Sequence, residues 1–257
     1  MNQDAAVTHE REGRVAYVTL NRPPLHVLNL DALRALDEAL AWAAKPDPSG
    51  RRTEDAQPPA LLVLRARGGK CFCAGVDVAD HTPEKIPAML DLFHGALWRL
   101  HTMPCATVAV LHGPALGGGA ELAMVCDFLV ASEKASFGFP EIKVGCFPPV
   151  AMALLAAAAG PHHAAQMILT GEPLAASTAA DWGLVNAVAA PEMLDAEAKA
   201  LCDMLLEKSP AVLGLTARGL RKMRDGVFAN SLREAEILYK QELVKLPDME
   251  EGIRAFL

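Results

Sequence analysis

Two glutamates set among glycines and apolar residues carry the first chemical signal in this chain. Glu121 enters the run Gly117-Gly118-Gly119-Ala120-Glu121-Leu122 and is followed by Ala123, Met124, Val125 and Cys126. Glu141 follows Pro140 after the stretch Phe137-Gly138-Phe139, and it too adjoins apolar residues. A carboxyl group taken partly out of water holds its proton more tightly, which suits it to proton transfer near neutral pH. Two such groups beside one water could act together, one accepting a proton while the other donates one. Taken singly, each also fits a surface or capping role, and Glu121 fits a first-turn charge facing the helix dipole.

Gly117 to Gly119 fall between a strand signal and an apolar helix. The first amides of a helix have no acceptor inside it, and glycines leave them uncovered, so a negative group could approach the backbone. A tight packing turn between strand and helix fits the same residues. Neither a GxxxxGKS/T nor a GxGxxG phosphate loop is present. A third segment, Cys71-Phe72-Cys73-Ala74-Gly75-Val76-Asp77, follows a Gly68-Gly69 turn. Its cysteines lack the spacing of a zinc site, so buried small hydrophobes are expected and a metal is not.

These residues need elements to hold them. Strands are expected at Val15 to Leu20, Leu61 to Arg65, Ala106 to Leu111 and Phe128 to Val130, and the second is apolar enough to be buried on both faces. Helices are expected at Asp31 to Leu40 with Asn29 as cap, at Ala88 to His101, and at Ala120 to about Cys126. Residues 45–59 read as an exposed loop, and beyond Pro149 the pattern is helical almost throughout. Strands alternating with helices, then helices alone, give an α/β class with a helical C-terminal part.

Bulk properties exclude several functions. Of 257 residues, 52% are hydrophobic and 21% charged, as in a globular chain, and a net charge of −7 gives no electrostatic reason to bind nucleic acid. Basic clusters such as Arg218-Arg221-Lys222-Arg224 read as solvated helix faces. The six cysteines are dispersed, which predicts reduced thiols and a cytoplasmic location. No signal peptide or membrane span is expected, because the longest apolar run is too short to cross a bilayer.

Together the segments resemble the crotonase superfamily, best known for enoyl-CoA hydratase. The likeness begins at Leu20-Asn21-Arg22-Pro23 with Leu28-Asn29 and passes through Ala74 to Asp77 and Gly117 to Ala123. It continues at Cys126-Asp127, Pro140-Glu141, Leu169-Thr170-Gly171 and Ala180 to Val185, and ends at Asp248 to Ile253 with Ala255-Phe256. The resemblance implies a spiral of ββα turns over residues 1–195 and a helical oligomerisation region over 196–257, assembling as trimers or hexamers. It implies an oxyanion hole from the backbone N–H groups of Val76 and Gly118, with Glu121 and Glu141 as the catalytic pair. Glu141 would handle the Cα proton and Glu121 the water. Coenzyme A, part of the substrate rather than a cofactor, would lie against Leu25, His26, Lys70, Phe72, Ala74, Gly75, Asp77 and Gly117. His26 equally fits an ordinary loop histidine.

Retention of both glutamates favours hydration of a 2-enoyl-CoA, or its reverse, over an isomerase or a non-catalytic CoA-binding relative. After Glu141, many relatives carry a glycine-rich turn where this chain has Val144-Gly145-Cys146-Phe147-Pro148-Pro149-Val150-Ala151. That departure leans the expected acyl group toward a branched one such as 3-methylglutaconyl-CoA, with a cyclic dienoyl-CoA as the alternative. The stretch Val78 to Pro87 reads as a lid over the acyl end, and Lys143 as solvent-facing. The chain stops at Phe256-Leu257, where many relatives continue with a basic tail against CoA.

Overall fold

Strands buried on both faces set the frame. The computed structural model describes residues 5–46 and 58–257, so most of the loop expected at 45–59 lies outside it. The expected strands are β2 (Val15–Leu20), β3 (Leu61–Ala66), β4 (Ala106–Leu111) and β6 (Phe128–Ser132). They run parallel in one sheet, whose order among the described residues is β1-β2-β3-β4-β6-β9. Here β1 (Val7–Glu12) is the antiparallel edge and β9 (Ala187–Ala189) the far one.

Both faces of this sheet are covered, as the apolar β3 requires. Leu62 and Leu64 point toward the helices α1 (Leu30–Ala43) and α2 (Ile86–His101). Leu61 and Val63 point the other way, joining Val108, Val110 and Val130 beneath Leu194, Ala198, Cys202 and Leu205 of α7 (Leu194–Leu206). The boundary expected at 195/196 falls inside α7. Helix α1 starts where the sequence places its cap, with Asn29 Oδ1 accepting from the Ala32 amide at 3.0 Å.

A second, smaller sheet crosses the path of each turn. Leu28 bridges to Val76, Cys73 bridges to Ala115, and β5 (Ala115–Leu116), β7 (Ser136–Gly138) and β8 (Leu174–Ala175) complete it. The chain thus repeats one unit: a long strand, a short piece in the second sheet, then a helix. β2, Leu28 and α1 form one turn; β3, Cys73-to-Val76 and α2 the next. β4, β5 and α3 (Gly118–Met124) follow, then β6, β7 and α4 (Pro149–Ala159). This is the spiral of ββα turns that the resemblance implies.

The C-terminal half is corrected in detail. Past α4 and α5 (Pro161–Thr170) the short strands β8 and β9 interrupt the helices α6 (Ala176–Asp181) and α7, before α8 (Pro210–Gln241) and α9 (Pro247–Phe256). Arg221 is not on a solvated face. It is 1% exposed, and its guanidinium donates to the carbonyls of His101, Met103 and Cys105 and pairs with Asp127 at 3.1 Å. It ties α8 to the turn between α2 and β4, where the carbonyls need a donor with several N–H groups. No helix among the described residues is long and apolar enough to cross a membrane.

Candidate active site

The glycine run divides its work. Gly117, at φ +52°, turns the chain into α3, and a methyl group there would fall 2.6 Å from Glu141 Oε1. A methyl on Gly119 would lie 2.3 Å from the Cys73 carbonyl oxygen, so α3 packs directly on the backbone of the second sheet. Gly118 stands between them, where a Cβ would be 3.3 Å from the Val76 nitrogen and 3.0 Å from the Phe93 ring. The packing-turn reading holds at Gly117 and Gly119.

Leu28 donates to Gly75 O and accepts from Asp77 N, so that pairing leaves the Val76 amide turned away from Leu28. Gly118 N begins a helix. Neither amide has an acceptor among the described residues, and both residues line a cavity of about 440 Å³. Two converging, unsatisfied N–H groups at a helix start suit an oxygen that gains negative charge.

Glu121 and Glu141 line the same cavity in unlike settings. Glu121 is 2% exposed, and its Oε1 accepts from the amides of Val150 at 2.8 Å and Ala151 at 2.9 Å, the first turn of α4. Burial pushes its carboxyl up, while those amides and the charge of His94 pull it back. Glu141 sits in the short 3-10 turn Pro140–Val144 with its Oε2 buried and unpartnered. Burial, then the Glu121 charge, raises it to about 8. Both carboxyls are thus raised, but Glu121 has two amide donors that favour its anion and the buried oxygen of Glu141 has none.

The cavity is also walled by Met89, Leu90, Phe93, Phe147 and Tyr239, with His81 and His94 among them. Val78 to Asp80 form a 3-10 turn in which Asp80 accepts from Leu30 N at 3.1 Å and from Lys85 Nζ at 2.9 Å. The segment expected to be a lid is thereby tied to the start of α1. Lys143 is paired with Glu172 at 2.8 Å.

Ala74, Gly75, Val76, Gly117, Gly118, Glu121 and Glu141 therefore meet at one cavity, whereas Leu25, His26, Lys70, Phe72 and Asp77 do not line it. Phe72 is fully buried in the core and Asp77 caps the Ala79 amide. His26 is 1% exposed, accepting from Arg22 N and bonded through Nε2 to Gly68 O. Leu25 is exposed, and its carbonyl accepts from Ala74 N beside the cavity mouth. His94 and its partner Glu236 were not found from sequence. They lie 142 residues apart, and no local spacing joins them.

A family model described as enoyl-CoA hydratase/isomerase matches residues 10–257. A probable enoyl-CoA hydratase of Rhizobium meliloti is 34% identical over 251 residues, covering 96% of this chain and 93% of its own. The cyclohexa-1,5-dienecarbonyl-CoA hydratase of Thauera aromatica is 30% identical over 252 residues, covering 96% and 92%. A crystal structure of an enoyl-CoA hydratase from Mycobacterium avium subsp. paratuberculosis superposes with a TM-score of 0.84 at 27% identity, over 97% of this chain and 98% of that one.

Proposed function

The chain belongs to the enoyl-CoA hydratase/isomerase family, and from that premise we propose that it adds water across the 2,3 double bond of a 2-enoyl-CoA, or reverses that addition. The observation that carries the reading is the contrast between the two carboxyls. Glu121 is held by two amides at the start of α4, while Glu141, half-buried on the same cavity, has one buried oxygen without a partner. Glu121, as carboxylate, takes a proton from water as the oxygen bonds to Cβ. The π electrons move to the thioester oxygen, which Val76 and Gly118 N–H hold as an enolate; each such donor is worth about 3 kcal/mol. Glu141, as acid, then delivers its proton to Cα. No metal or redox group is required, because the thioester and the hole carry the charge.

Coenzyme A is placed along Ala74 and Gly75, whose loop meets Gly118. For the acyl group, a 3-methylglutaconyl chain would have Lys143, already shared with Glu172, as the ammonium of the cavity. A cyclic dienoyl group is favoured by the wall of Phe93, Phe147 and Tyr239 and by the Thauera aromatica relative. Trimers or hexamers fit the exposed Val212, Leu215, Leu220, Met223 and Val227 along α8.

The test follows the absorbance of the conjugated enoyl thioester with crotonyl-, 3-methylglutaconyl- and cyclohexadienecarbonyl-CoA. Glu121→Gln and Glu141→Gln should each lower turnover of the preferred substrate by at least about a hundredfold. Turnover that survives either change would remove that glutamate from the chemistry.

A further inference from the structure

His94 lies on α2 among Met89, Leu90 and Phe93, where an apolar residue would complete the wall. It is 5% exposed, and its Nδ1 is 2.5 Å from Glu236 Oε1 on α8. The Glu236 carboxyl is held below its usual range, first by that hydrogen bond, and Lys240 Nζ sits 3.6 Å from its other oxygen. An ionised Glu236 can only accept, so the proton is on Nδ1 and the ring orientation is fixed. Nε2 is then the remaining atom, buried and without a partner. A structural histidine would satisfy both nitrogens, since a buried bare one costs about 1–3 kcal/mol.

We propose that His94, oriented by Glu236, is a positioning residue for the reaction: its ring, on the cavity wall it shares with Glu121, favours the ionised form of that carboxyl and so keeps the water-activating base ready. The proposal rests on the hydratase reading of the two glutamates. The ionisable groups around it agree. From α3 comes Glu121, and from α8 come Glu236, Lys240 and the Tyr239 phenol. The 140–148 segment supplies Glu141, neutral below pH of about 8, the Cys146 thiol, and Lys143, which is occupied by Glu172. His81 stands on the turn after Val78, its ring bonded to Asp77 O, and Asp91 on α2 itself is paired with Lys240. Glu236, half-buried, thus holds one side of the ring, while Nε2 has no partner on the cavity wall that Glu121 also lines. His94 charge acts on Glu121 in the direction the proposal needs, lowering its hold on a proton.

The deciding experiment titrates the Glu121 side-chain carboxyl by carbon-13 NMR in glutamate-labelled protein, its signal assigned by its absence in Glu121→Gln. His94→Phe and His94→Gln should both move the midpoint up by about one unit, and Glu236→Gln by less. With crotonyl-CoA, or the preferred substrate, the acid limb of kcat/KM should rise by the same amount. kcat at pH 7 should fall about tenfold while KM changes less than about threefold. An unmoved Glu121 midpoint in His94→Phe overturns the proposal. So does wild-type titration and acid limb in His94→Gln, which keeps a hydrogen-bonding group but no charge. A loss confined to KM for acyl groups carrying a polar end would overturn it in favour of substrate selection. If His94→Phe does not fold, the Gln variants at 94 and 236 carry the test. If wild type hydrates no enoyl-CoA, the hydratase reading fails, and the NMR titration still decides the role of His94.

Discussion

Gly119→Ala asks whether the packing of α3 on the second sheet positions the site. The new methyl would stand 2.3 Å from Cys73 O, 2.7 Å from Cys73 Cβ and 2.8 Å from Cys73 C. Real Cβ contacts essentially never fall below 3.0 Å, so α3 must retreat by about 0.7 Å at least. It cannot do so by a side-chain rotation, because the obstacle is backbone. Overpacking of this kind costs about 1–3 kcal/mol. In a chain of this size that lowers Tm by roughly 2–10 °C. The functional cost should be larger, because Gly118 N and the Glu121 carboxylate move with the helix start. A misplacement near 1 Å can cost about a hundredfold in rate. Steady-state hydration of the preferred enoyl-CoA should therefore show kcat down about a hundredfold. A Gly119→Ala enzyme that is folded and keeps kcat within about threefold would refute the claim that this contact sets the hole.

Three further outcomes follow from the same geometry. Hydration needs Glu141 protonated, so kcat/KM should fall above its raised value of about 8, tenfold per pH unit, and a basic limb below pH 6 would contradict the assignment. The raised Glu141 also couples to stability: its neutral form is favoured in the fold, so its contribution is complete below about pH 4.5 and is lost as pH rises through about 8. The urea midpoint of wild type relative to Glu141→Gln should fall across that window, and a constant difference would argue against burial as the cause. Arg221→Met strips the donor from several buried carbonyls and the cation from Asp127; a loss of about 3–5 kcal/mol, seen as a Tm drop of about 10 °C, is expected, and a change below about 2 °C would show that the bonds are dispensable.

What the sequence discloses here is what local pattern can encode. The apolar run Leu61 to Leu64, the cap at Asn29 and the glycines before Ala120 are statements about neighbours along the chain, and each is reproduced in the structure. Strand β1 escapes because Thr8, His9, Glu10 and Arg11 are only half-buried on an edge, and β9 because three residues become a strand only once β6 lies beside them. Arg221 escapes for the same reason on a larger scale: the carbonyls before β4 that it donates to lie 116 to 121 residues away, so its sequence neighbours Arg218, Lys222 and Arg224 suggest solvent. The glutamate pair was legible as two acids in apolar company. The settings that distinguish them were not, because Glu121 meets its donors 29 and 30 residues later.

Those donors return the argument to Pro148-Pro149, the point where the chain departs from the glycine-rich turn of many relatives. Read as sequence, the prolines change the wall of the acyl pocket. In the fold they also start α4, with Pro148 before the first turn and Pro149 at its first position. Proline suits that position because its fixed φ matches the helix and its missing N–H is one that no intrahelical acceptor would have met. The next two amides, Val150 and Ala151, are the ones Glu121 accepts from. A rigid helix start aimed at a buried carboxylate is an anion seat that needs no positively charged side chain. The same two residues thus line the cavity and start the helix whose amides seat the Glu121 carboxyl. Changes of acyl preference made at this turn should therefore carry a change in kcat with them, because shape and proton transfer share one piece of backbone.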